Sequence, residues 1–400
     1  MWLLLARTAG VATFGVPWVV LVQVHGTIQL FGFAALFMMG VALHVLPRFR
    51  GAAPPPRIVS AVAFCGTVGG IVLRAAAQPF IDLPARDLLL ALSSILLVAA
   101  TSTFAVGALL ALRGGTNPHR SDELVMAVGI LAGPVAAVLL AVGMPLSGAP
   151  LLVDPSAEDR AVWAMLLGCL STTIFGVWAR LAPGFVAAPP ARPRRLLASA
   201  ALWIVGVVAL VLDVPLAAVP LVAGLGALTW TLGVFGRSIA RQRLPAHARL
   251  TRLAVRSAFV WALAAAALLA LYQVRAAVTG SDAPYLEVSA ARHAFALGFV
   301  TLMIYGVAAR ALPNFTDREL WSPRLQLLTI ALANLGVALR VVPQAISAEG
   351  AIAGGLVGLS GIIAYVALAA FAMNMLRTVR GPAVRQPSRG TPVPIVVRFQ

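Results

Sequence analysis

The chain is expected to be an all-α, polytopic membrane protein of about 12 transmembrane helices, arranged in three pseudo-symmetric four-helix units. Composition, the spacing of apolar runs and a triplicated motif lead to that reading. Of the 400 residues, 60% are hydrophobic and 11% charged, and mean hydropathy is +0.94. A soluble domain carries about a quarter charged residues. Twelve apolar runs are each long enough to cross a bilayer as a helix. They lie at approximately 2–22, 25–47, 57–79, 86–112, 122–145, 160–182, 195–215, 216–240, 252–278, 289–312, 324–345 and 350–377. Only Val214 and Pro215 separate the seventh from the eighth.

The motif reads Gly-x7-Gly-Val-x2-(His or Arg)-x2-Pro-x-Phe. It occurs as Gly32, Gly40, Val41, His44, Pro47, Phe49; as Gly168, Gly176, Val177, Arg180, Pro183, Phe185; and as Gly298, Gly306, Val307, Arg310, Pro313, Phe315. The offsets are 136 and 130 residues, room for about four spanning helices per period. An even number of helices per period puts all three copies in the same direction across the membrane. The second, sixth and tenth spans then descend to the inner face, where proline is expected to stop each helix. The units become about 1–120, 121–245 and 246–379 within a single transmembrane domain, 1–379. Residues 380–400, rich in Pro and Arg, are expected to be a disordered cytoplasmic tail. Gly70, Gly206 and Gly336 keep the same offsets and are read as sites of close helix packing. Arg74 and Arg340 correspond across the first and third copies, and Leu210 holds that place in the second.

The net charge of +17 does not point to nucleic acid, because the arginines fall where a membrane protein places them. With the N-terminus inside, the inner side holds 24 Arg and 4 acidic residues, and the outer side 6 Arg and 9 acidic. The positive-inside rule therefore places both termini in the cytoplasm and the protein in the cell's inner membrane. Anionic lipid is the expected partner of Arg192, Arg194, Arg195, Arg241, Arg243 and Arg249. Cys65 and Cys169 form no CxxC pair and are read as free and buried.

Five histidines carry what chemistry the polar groups offer. His119 and His247 lie in inner loops beside arginines and are read as solvated. His44 fills the slot of Arg180 and Arg310, which points to a headgroup-level or interhelical polar role. His25, read as opening the second span, and His293, near the start of the tenth, lie at similar depth in the outer leaflet. In repeat register they stand two positions apart, about 3 Å along a helix axis. Neutral imidazole is a common iron ligand, and packed helices supply axial side chains to haem. Arg74 and Arg340, each one helix away from a histidine and near the same membrane face, would meet the carboxylates of such a cofactor.

This plan resembles subunit I of the haem–copper oxidases, in which three helix arcs carry ligands on their second helices. His25 and His293 occupy the places of the low-spin haem ligands, and Arg340 resembles the propionate-binding region. Ala291 stands where the high-spin haem ligand would be, the sixth and seventh spans hold no histidine, and no His-Pro-Glu pattern occurs. No oxygen-reducing binuclear centre is therefore expected. The chain more closely resembles the NnrS family, haem-containing membrane proteins associated with nitric oxide metabolism. His25 and Phe31-Gly32 fit the ends of that family's His-x-His-Glu-x2-aromatic-Gly segment, with Thr27 and Ile28 replacing the second histidine and the glutamate. His293 to Gly298 fits its His-x4-Gly segment, and Gly306 to Arg310 its Gly-x3-Arg. The resemblance implies one haem, of b type, ligated by His25 and His293 and flanked by Arg74 and Arg340. It implies electron transfer or a nitric oxide-related redox role, with a redox partner protein. The alternative is a cofactor-free multi-pass transporter or a structural membrane subunit.

Overall fold

A computed structural model describes residues 18–80, 82–144, 153–239, 244–281, 285–348 and 350–382. Among these residues the structure is helical, with no strand. Ten of the described helices are long and apolar enough to cross a membrane: α1 Trp18–Arg50, α2 Arg57–Ala77, α3 Arg86–Arg113, α4 Ser121–Val142, α5 Pro155–Val186, α6 Pro193–Val211, α8 Ala246–Thr279, α9 Tyr285–Thr316, α10 Pro323–Ala345 and α11 Ala351–Arg380. Helix α7, Ala218–Thr231, is apolar but shorter. The protein is thus an integral membrane protein. Its outward surface is apolar, with Trp230, Val278 and Ile352 each more than 80% exposed (81%, 81% and 82%). Such side chains have their favourable solvent in lipid tails.

Several expected boundaries move. The expected first span lies outside the described residues except for 18–22, and the expected tail lies outside them from 383 onward. Helix α1 is already formed at Trp18, so His25 sits two turns inside it rather than opening it. The run 18–46 holds no proline to break it. Helix α7 is shorter than the expected 216–240, because Gly233 turns left-handed (φ +61°) just beyond it. Cys65 is exposed on α2 rather than buried, whereas Cys169 is buried in α5.

The helix that carries each motif copy has the same irregularity. A π-helical segment of eight residues interrupts α1 at Ile28–Ala35, α5 at Ala164–Ser171 and α9 at Ala294–Thr301. These starts differ by 136 and 130 residues, the motif offsets. In two copies a hydroxyl at the segment's end reaches the carbonyl five residues back: Ser171 Oγ to Leu166 O (2.7 Å) and Thr301 Oγ1 to Ala296 O (3.0 Å). That bond follows the wider π ladder. The three segments touch one another, so they meet at the centre of the bundle. There Phe175, Phe259 and Phe299 pack with ring centroids 5.3–5.9 Å apart.

Motif glycines make the neighbouring crossings close. A Cβ on Gly176 would stand 2.5 Å from Met126 Cγ on α4, and one on Gly306 would stand 2.7 Å from Ala254 Cβ on α8. A Cβ on Gly40 would meet nothing within 4 Å among the described residues. Gly70, Gly206 and Gly336 pack on the following helix, against Leu97, Leu221 and Ser360 respectively, as expected.

The motif proline is not the terminator. Pro47, Pro183 and Pro313 lie inside their helices, which continue three residues further. Each helix ends at a left-handed residue: Gly51 (φ 63°), Ala187 (φ 49°) and Asp317 (φ 51°). These too keep the offsets 136 and 130. Proline removes only one hydrogen bond in a last turn, so the helix tolerates it there; the αL residue closes the end.

The same end of the bundle holds a closed ring of contacts between the copies. The His44 ring packs on Phe315 (centroids 4.5 Å apart), Arg180 lies over Phe49 (5.0 Å) and Arg310 over Phe185 (5.9 Å). Each motif cation position, or its imidazole substitute, thus meets the motif phenylalanine of another copy. His44 has the interhelical role expected of it.

Candidate cofactor site between α1 and α9

His293 is set by its own helix. Its Nδ1 lies 2.7 Å from the carbonyl oxygen of Ser289, one turn back, and 3.3 Å from Ser289 Oγ. An Nδ1–H donating to that carbonyl leaves Nε2 with its lone pair free, the state in which imidazole binds metals. Ser289 Oγ also donates to Gln344 Oε1 on α10 at 3.4 Å. The neighbouring Arg292 pairs with Asp159 on α5 (2.7 Å) and lies over Trp163 (5.1 Å). These links hold the start of α9 against α5 and α10.

His25 and His293 lie within electrostatic reach of each other, and Arg340 is within reach of both. Helices α1 and α9 also touch through their π segments. Among the described residues, no hydrogen bond holds His25. Its side chain is exposed on α1. His25, His293 and Arg340 thus lie in one electrostatic neighbourhood, on α1, α9 and α10.

Arg74 belongs to an adjoining network. It is 1% exposed, and its Nε donates to Gln78 Oε1 (2.7 Å). Gln78 donates to Gln23 Oε1 (2.7 Å), and Gln23 exchanges two bonds with the Val153 backbone (3.0 and 2.9 Å). Glu158 is within electrostatic reach of Arg74, yet both terminal guanidinium nitrogens are buried without a hydrogen-bond partner. The Nε of Arg340 is likewise buried and unpartnered. A buried guanidinium with unmet donors is costly unless an anion completes it. Arg74 faces that demand on the stretch of α1 that carries Gln23 and His25.

The residues fit a haem. Two imidazoles come close from separate helices, one has its tautomer set by a carbonyl, and two arginines offer unmet donors nearby. Among the described residues no group of three or more His, Cys, Asp and Glu could hold a metal ion. A haem iron needs only two axial side chains, its equatorial ligands coming from the porphyrin.

Sequence reasoning missed Ser289, Gln344, Gln23, Gln78 and Glu158. Ser289 stands four residues before His293, the spacing that places two side chains on one helix face, so it was within reach of pattern reading. Gln23 meets Val153 across 130 residues, and no local pattern reveals such a pairing.

The fold defines an integral membrane protein of the multi-pass helical class, and His25 on α1 and His293 on α9 mark its candidate cofactor site. The chain belongs to the NnrS family, whose description, NnrS protein, it matches over residues 1–382. A solved haem–copper terminal oxidase dimer is similar in structure, at TM-score 0.46 and 13% identity, covering 91% of this chain and 75% of that one. No curated protein matches the chain.

Proposed function

We propose that this NnrS-family protein binds one b-type haem between α1 and α9, ligated by His25 and His293, and serves electron transfer or a nitric oxide-related redox function. One observation carries the reading: the Nδ1 of His293 is committed to the Ser289 carbonyl while a second imidazole lies within reach. Arg340 and Arg74 then offer their unpartnered nitrogens to the propionates.

A haem held by two imidazoles supplies one-electron exchange with no open coordination position. The chain's own residues do the rest. Ser289 fixes the His293 tautomer, the α5 contact through Asp159 and Arg292 fixes the height of α9, and the buried arginines offset the carboxylate charge. The reading places the protein in the inner membrane with both termini cytoplasmic, as one transmembrane domain of three units (about 1–120, 121–245 and 246–379). Residues 380–400 form a cytoplasmic tail, and the partners are membrane lipid and a redox protein.

The test is the absorption spectrum of protein purified from cells supplied with haem precursor. The expected result is a low-spin haem spectrum in wild type that is lost or converted to high spin in His25→Ala and in His293→Ala. Colourless wild-type protein would overturn the reading.

A further inference from the structure

The arginine-rich end of the bundle holds a second cluster, far along α1 and α9 from the paired imidazoles. His44, Arg180 and Arg310 occupy one motif position in three copies and close the ring on Phe315, Phe49 and Phe185. In each of the three, one nitrogen is buried with no hydrogen-bond partner: His44 Nε2, Arg180 Nη1 and Arg310 Nε. The same motif position thus leaves one unmet nitrogen in each of its three copies.

The charges around the ring favour an anion. Arg180 has a carboxylate at hand, with Asp122 Oδ2 3.6 Å from Nη1, too far for a hydrogen bond. Its Nη2 is used by the Phe49 carbonyl (3.0 Å). Arg310 has no ion pair among the described residues. Arg48 adds a third guanidinium over Phe315 (6.0 Å), anchored to the His44 carbonyl (2.7 Å). His247 lies within electrostatic reach of both Arg310 and Glu319. A partly buried guanidinium at membrane depth without a counter-charge is expensive, and such residues mark ion or ligand sites. Arginine's planar fork suits a tetrahedral oxyanion.

We propose that the ring formed by His44, Arg180 and Arg310 is a binding site for a phosphate-type oxyanion at the arginine-rich face. Either a lipid phosphodiester or free phosphate supplies that chemistry. The proposal rests on the inner ring alone and stands or falls independently of haem.

The test uses full-length protein in nanodiscs. In phosphatidylcholine discs, inorganic phosphate is titrated at constant ionic strength against chloride, and thermal unfolding is followed. In parallel, protein in phosphatidylglycerol-containing discs is examined by native mass spectrometry for retained lipid. A phosphate-dependent rise in unfolding temperature, weakened about tenfold in apparent affinity by Arg310→Gln, identifies a free anion. Retained phosphatidylglycerol, lost in Arg310→Gln without any phosphate effect, identifies a lipid headgroup. Failure of both, or equal binding by wild type and Arg310→Gln, overturns the site. Should Arg310→Gln not fold, His44→Arg decides the matter, because arginine already fills that position in the other two copies. It is expected to bind the anion more tightly, and unchanged binding would overturn the proposal.

Discussion

The Nδ1 of His293 sits 2.7 Å from the carbonyl oxygen of Ser289, so the residue that orients the imidazole is its own helix backbone one turn earlier. Because the acceptor is main chain, the serine hydroxyl, 3.3 Å away, is secondary. Ser289→Ala is therefore expected to leave haem content within about twofold of wild type, since the backbone hydrogen bond survives the substitution. Loss of haem in that variant, measured per mole of protein, would show that the hydroxyl sets the tautomer.

Arg74 places an uncompensated pair of donors in a site with 1% exposure. A cation beside haem carboxylates favours the reduced form, whose iron carries less positive charge. Arg74→Gln is expected to shift the midpoint potential negative and to weaken haem retention. A redox titration with no shift, or a positive one, would remove Arg74 from the cofactor environment.

Helix crossings that depend on a missing Cβ are sensitive to one methyl group. A Cβ on Gly206 would meet the Leu221 backbone nitrogen at 2.5 Å, whereas one on Gly184 or Gly226 would meet nothing within 4 Å. Gly206→Ala is expected to cost about 1–3 kcal/mol by overpacking. Gly226→Ala, in the interior of α7, should be neutral or gain up to about 1 kcal/mol from helix propensity. Unfolding in detergent compares the two, and equal stabilities would contradict the close approach of α6 and α7.

The copies are joined by Arg180 over Phe49 at 5.0 Å. A double-mutant cycle with Arg180→Met and Phe49→Ala is expected to give a coupling of about 0.5–1 kcal/mol, the range for a cation over an aromatic ring. A coupling near zero would make the ring a consequence of packing with no energy of its own.

Asp154 caps α5, accepting from the Ala157 backbone N–H at 2.8 Å and from Ser156 Oγ at 2.5 Å. The serine hydroxyl first, then the backbone N–H, holds this carboxyl below its ordinary value of 3.8. A depressed carboxylate contributes stability above its unfolded value and loses it as pH falls through the folded one. The protection factor of the Ala157 amide should therefore fall only below about pH 4, and Asp154→Asn should abolish that dependence while keeping a cap. A protection factor that falls already near neutral pH would contradict the capping role.

The regular parts of the fold were legible because a bilayer imposes them: apolar runs of about 20 residues mark helices whatever their neighbours do. The π segments and the left-handed caps at Gly51, Ala187 and Asp317 recur at the motif offsets, but no residue of the motif announced them. Helix ends were less legible. Proline at Pro47, Pro183 and Pro313 looked like a stop, but the last turn of a helix tolerates it. The start of α1 was misplaced because nothing in Val24 or His25 resists continued helix. At the site, histidines and arginines were visible as rare polar residues in apolar spans. Gln78, four residues after Arg74, was within reach of pattern reading, whereas Gln23 and Glu158 join the network only through tertiary packing.

The most direct measurement of the central claim is haem stoichiometry by pyridine haemochrome on purified protein. Wild type is expected to hold one haem per chain, and the double variant His25→Ala/His293→Ala none. A wild type devoid of haem after expression with ample precursor, or a double variant that retains the full complement, would contradict ligation by these two side chains.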